Sequence, residues 1–199
     1  MSGSLRRTPF QTHMEHFASS SSPNEISLLS SLRGSLSLGL NLPASLALAL
    51  GLRVLYAPFP HYLRPVRIDS ITPSASRSQL EHASIPETSN SSFSRTDLLT
   101  LYTSSTASHR RSGLQSLLDR MHVWSFWAMA ADTKTGRVDA ADVRRFQKGN
   151  WEDAVVQRRK SRVPGKGDIL PFVRGGPLGV AAHSWAVHNL FGVKVYRDD

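Results

Sequence analysis

The chain holds 199 residues, enough for one ordinary domain, with 40% hydrophobic residues and a formal net charge of +9 at pH 7. The absence of Cys excludes disulfide scaffolds, Cys-ligated zinc and thiol catalysis, and fits a reducing, intracellular compartment. The cations are scattered and not interleaved with aromatics, so no nucleic-acid partner is expected; a solvated face or attraction to anionic lipid accounts for them.

Residues 1–7 (MSGSLRR) carry no apolar run and predict a flexible N-terminus without a leader. Thr8 followed by Pro9 predicts a capped helix reaching about Phe17, ended by the Ser run before Pro23. A second helix is expected to begin near Asn24 or Glu25. Residues 34–52 hold no charged side chain, yet Ser35, Ser37, Asn41 and Pro43 interrupt them. That pattern predicts a broken hydrophobic hairpin or interfacial helix, with a buried core helix as the alternative, ahead of a clean bilayer span.

Pro58, Pro60 and Pro65 then force turned or extended backbone. Residues 72–112 form a Ser-rich loop region interrupted by one short capped helix over 94–102. The strongest helical signal runs from Leu114 to Ala131, where Leu114, Leu117, Leu118, Met121, Trp124, Trp127 and Ala128 share an amphipathic face. Asp139 is placed to cap a helix ending near Phe146, and a further helix is expected over 151–162. The tail predicts a helix over 180–190 and a short strand over 193–196. The fold expected is mainly α, built of degenerate EF-hand-like helix–loop–helix units around a hydrophobic central segment.

The stretch Asp132–Asp139 has the punctuation of a calcium loop, with Gly136 at the sharp turn and Val138 two residues later. Lys134 intrudes and no terminal Glu closes it, so an empty, degenerate loop is expected. Eight His are many for this length. His183 and His188 lie five apart, not the four of a helical metal pair. Without Cys, an imidazole is the natural group to grip a haem iron.

The order of these features resembles the caleosin family. Its opening T-x-L-Q-x-H-V-x-F-F is matched by Thr8-Pro9-Phe10-Gln11-Thr12-His13-Met14-Glu15-His16-Phe17. The glycine-rich and proline-containing hydrophobic segment is matched by Gly34, Gly39, Leu40, Asn41, Leu42 and Pro43. F-P-x-Y-I is matched by Phe59, Pro60, His61 and Tyr62, and later stretches by Ser92-Phe93 through Leu101-Tyr102, by Trp124, Gly136, Val138, Val143 and Arg144, and by Gly149. The likeness spans residues 8–160, its lipid-associating part 34–56, and leaves 161–199 as a C-terminal extension.

The resemblance implies a haem b peroxygenase, with a lipid hydroperoxide as oxygen donor, at the surface of lipid droplets or endoplasmic reticulum membranes. His13 maps to the family's first haem ligand. The second lies in I-H-x-A-K-H-G-S-D, which is broken here after Ile71; His82, in Leu80-Glu81-His82-Ala83-Ser84, is the candidate replacement, with a plain loop residue as the alternative. The first calcium loop reads ASSSSPNEISLLSS, and neutral hydroxyls do not replace the lost carboxylates, so calcium is not expected. Lost ligands also leave open a non-catalytic droplet-coating protein.

Overall fold

The computed structural model describes residues 7–57, 60, 64–71, 80–81, 83–85, 91–106, 113–132, 134–161 and 180–196. These form a mainly α-helical fold with eight helices and two small antiparallel sheets. Helix α1 (Pro9–Glu15) starts in a reciprocal cap: Thr8 Oγ1 accepts the Gln11 N–H at 3.2 Å, and Gln11 Oε1 accepts the Thr8 N–H at 2.9 Å. Pro9, at the first helical position, has no N–H to leave unsatisfied.

The helix expected from Asn24 does not begin there. Glu25–Ile26 form strand β1, paired antiparallel with β2 (Val66–Arg67), so their backbone is taken by a partner forty residues away in sequence. Helix α2 (Leu28–Ser37) starts at Ser27, whose hydroxyl and that of Ser30 cap each other's backbone N–H groups. The uncharged stretch then breaks as expected of a hydrophobic hairpin. Gly39 turns at φ +77°, and Asn41 caps α3 (Leu42–Tyr56) by accepting the Ala44 N–H at 2.9 Å. The buried Ser31 and Ser35 return their hydroxyls to carbonyls one turn earlier, so neither is left unsatisfied in the interior. Among the described residues no helix is long and apolar enough to cross a membrane.

A 3₁₀ turn (Ile68–Ser70) follows β2. Within the region expected to be Ser-rich loop, β3 (Ser92–Phe93) and α4 (Arg95–Thr106) are ordered elements, and α4 extends past the predicted end through Ser104 and Ser105. Helix α5 (Gly113–Ala130) carries the predicted stripe, of which Ala128 is buried and Trp127 packs against the core, while its first half faces away from it. Leu114 is 68% exposed and Met121 55%, while Val123, Phe126 and Met129 are among the buried residues. Strand β4 (Val138–Asp139) pairs with β3 and leads into α6 (Ala140–Lys148). Asp139 sits at the cap position but accepts no side-chain hydrogen bond. Helices α7 (Glu152–Lys160) and α8 (Val180–Phe191) complete the set. The strand predicted over 193–196 does not form; Val195 and Tyr196 instead pack with Val187 of α8 on Leu36 of α2.

Two helix–loop–helix units are thus present, α1–β1–α2 and α5–β4–α6. One continuous core joins Phe10 and Met14 of α1, and Phe17 just after it, to Val123, Phe126, Phe146 and Trp151. Lys160 of α7 is exposed, but Arg158 and Arg159 are engaged by the fold. Arg158 Nη2 donates to the Ala130 carbonyl at 3.0 Å, Arg159 Nη2 donates to that of Met129, and together they cap the end of α5. Asp142, fully buried, accepts from Arg145 and Arg158. Burial pushes the Arg159 guanidinium down to about 10, which leaves it cationic at neutral pH.

Candidate functional site

Helix α1 presents His13 to the interior, and three anchors fix it. The reciprocal cap holds its start. The Gln11 amide donates to the Ile71 carbonyl at 2.8 Å. At the third anchor the Pro9 carbonyl lies against Gly149, which adopts φ +76° and has no room for a Cβ. His13 is 5% exposed, and its Nδ1–H donates to Glu152 Oε1 in the first turn of α7. The ring stacks on Trp151, with centroids 5.7 Å apart and planes at 25°. Among the described residues no second hydrogen bond engages the imidazole, so Nε2 is the nitrogen that could take a ligand. A buried carboxylate on the far nitrogen of an imidazole is the usual device for fixing the tautomer and raising the basicity of a metal-binding His.

His13 lines a pocket of about 470 Å³ between α1, α3 and α5, within the range of small-molecule and cofactor sites. Phe10, Met14 and Phe17 form one wall, Leu48, Leu52 and Tyr56 a second, and Leu118, Met121 and Trp124 a third. The predicted stripe of α5 therefore supplies this wall and its rim. Leu55, Met121 and Trp124 line the pocket and are also exposed, so they mark its mouth. Almost every lining group is apolar; the exceptions are His13, His122, Ser125 and the Tyr56 hydroxyl.

His122 was not among the residues that spacing singles out. It lies on the apolar stripe of α5, and its ring centroid is 5.2 Å from that of His13 and 5.1 Å from that of Phe146. An imidazole on each side of one iron needs metal–nitrogen bonds of about 2 Å on both sides, hence nitrogens about 4 Å apart and ring centres farther still. At 5.2 Å the two rings are too close to be opposite axial ligands. The donor set would therefore fit a haem held by one protein imidazole, His13, against apolar walls, and no cation is among the described lining residues. Glu152 was also missed. It follows Trp151 and precedes the exposed Asp153, and nothing local marks it as the buried acid.

The candidate second ligand His82 lies outside the described residues, as do His61 and His109. His188 is exposed on α8. His16, on the opposite side of α1 from the pocket, hydrogen-bonds through Nε2 to the Gly34 carbonyl and the Ser37 hydroxyl, both at 3.2 Å. Burial pushes its imidazole below the ordinary range. In the second loop, Asp132 Oδ1 accepts the N–H groups of Lys134 and Thr135, each at 2.9 Å, and Trp127 Nε1–H donates to the Gly136 carbonyl. Arg137 reaches from this loop to Ser92 and Asp97. Among the described residues no three His, Asp or Glu side chains converge to hold a metal ion.

No family model, curated protein or solved structure matches the chain.

Proposed function

We propose that the chain is a caleosin-like haem peroxygenase acting on lipophilic substrates at a lipid surface. The observation that carries this reading is a buried, carboxylate-oriented imidazole, His13 on Glu152, at the wall of an apolar pocket with an open, greasy mouth. Haem, when bound, supplies oxygen transfer from a hydroperoxide to an acceptor. The chain's own part is to hold and orient that group and to exclude water. Glu152 fixes the His13 tautomer so that Nε2 faces outward from the α7 contact. Phe10, Phe17 and Leu52 keep the reacting end dry, which favours an alkyl chain over a polar substrate. His122, on the same side as His13, is positioned to exchange a proton with a group entering the pocket. Leu55, Met121 and Trp124 at the mouth suit a fatty-acid hydroperoxide arriving from lipid.

A second reading is a non-catalytic lipid-droplet coat, favoured by the exposed leucine row of α3, which extends beyond the pocket. Titration with haem separates the two. The native protein is expected to bind haem with a Soret band, His13→Ala to lose it, and Glu152→Gln to bind 10–100-fold more weakly with a shifted spectrum. Folded protein that takes up no haem, or whose spectrum ignores both substitutions, rejects the enzyme reading and leaves the coat.

A further inference from the structure

On the other side of α1 from the apolar pocket lies a cleft of about 400 Å³ of opposite character. Three elements distant in sequence each bring one cation to it: Arg33 from α2, Lys160 from the end of α7, and Lys194 from the segment after α8. No carboxylate is among its described lining residues. Asp153, 3.8 Å from His16 Nδ1, stays almost wholly in solvent outside the lining. Four other arginines are engaged by carboxylates: Arg7 by Glu15 and Asp69, Arg137 by Asp97, Arg145 and Arg158 by Asp142. Arg33 and Lys160 form no ion pair among the described residues. Bringing the like charges of Arg33 and Lys160 to one concavity costs repulsion that an anion would relieve.

We propose that this cleft binds a phosphate group. A phosphate monoester carries nearly two negative charges and three strong acceptor oxygens, which matches three cations better than a single carboxylate does. Arg33 supplies the planar fork that fits two phosphate oxygens, and the two ammonium groups supply point charges. The exposed Ser20 hydroxyl, at the cleft edge, adds a neutral donor. An extended nucleic-acid track is disfavoured, because no Phe, Tyr or Trp is among the described lining residues and the His16 ring is engaged by Gly34 and Ser37. The group can come from a soluble phosphate ester or from an anionic phospholipid headgroup. The inference rests on no assumption about the apolar pocket.

Equilibrium dialysis with inorganic phosphate and with glycerol phosphate, and flotation with phosphatidic acid vesicles against phosphatidylcholine vesicles, test it in the full chain. Binding to at least one phosphate probe is expected, weakened at least tenfold in Arg33→Glu/Lys194→Glu and largely retained in Arg33→Lys. Loss confined to the vesicles assigns the headgroup as the source; loss confined to the soluble probes assigns a small ester. Arg33 and Lys194 are both exposed, and an unchanged thermal midpoint verifies that the variant is folded. Absence of binding to every probe, or binding that the double charge reversal leaves intact, overturns the proposal.

Discussion

His13 on α1 and His16 at its C-terminal cap stand three residues apart and meet different fates. His13 gains a buried carboxylate, whereas His16 gains a carbonyl and a hydroxyl. Burial holds the His16 imidazole below its ordinary range, so the folded protein binds fewer protons there than the unfolded chain. The unfolded imidazole titrates near 6.5. Above that pH both states are neutral at this position and stability is unaffected. As pH falls below it, the unfolded chain takes up a proton the folded one resists, and stability drops. The thermal midpoint is therefore expected to fall more steeply from pH 7 to pH 5 in the native protein than in His16→Gln, whose amide keeps a donor for the Gly34 carbonyl. Parallel curves would show that another group governs acid sensitivity.

At the scale of elements, what local chemistry decides was legible in the sequence, and what a distant partner decides was not. Thr8, Pro9 and Gln11 are complete within four residues, so the start of α1 could be read directly. Asn41 and Pro43 likewise announce the break before α3. Glu25–Ile26 became a strand because residues 66–67 lie alongside, a fact no local window contains. The periodicity of α5 located a helix face correctly but not what it faces: that face borders the pocket, while Phe126 stacks on Phe146 with centroids 4.0 Å apart on the other side. His13 could be singled out by resemblance; Glu152 could not, because its importance lies in a contact across 139 positions.

The turn that ends α6 is the most sensitive joint between elements. A Cβ at Gly149 would overlap the Pro9 carbonyl oxygen, a backbone atom that cannot swing aside, and the residue would also be held in the left-handed region. Gly149→Ala is expected to cost about 3 kcal/mol, lowering the thermal midpoint by roughly 6–12 °C. Gly51→Ala makes the contrast. Nothing lies within 4 Å of its added Cβ, and in the interior of α3 it is expected to stabilise by about 0.5–1 kcal/mol. Calorimetry of the two variants checks both signs. A Gly149→Ala protein as stable as its parent would mean that α1 is not seated against this turn.

Across the whole molecule, the apolar surface is lopsided. Leu42, Leu46, Leu50 and Val54 recur every fourth residue along α3 and are all exposed, Val54 at 70%. Leu114 and Leu117 are exposed on α5, the neighbouring helix across the pocket. Soluble monomers seldom display such rows without a surface to place them on. Burying one leucine contributes roughly 1.5–3 kcal/mol, so two removed from an interface weaken partitioning by about a hundredfold or more. Leu46→Lys/Leu50→Lys is accordingly expected to abolish flotation with neutral triacylglycerol emulsions. Exposed substitutions of this kind typically move stability by no more than about 0.5 kcal/mol each, so the melting transition should stay put. Unaltered flotation would show that this row does not bind lipid.

The pinned carbonyl of Pro9 also acts as a ruler. Each residue along an α-helix turns the next side chain by about 100°. With α1 clamped at Thr8, Pro9 and Gln11, the distance to residue 13 sets the compass bearing of its imidazole. One amino acid added or deleted between clamp and ring would swing it away from Glu152, even in an intact helix. Side chains facing outward from α1 are free to vary; the count between its anchor and its histidine is not.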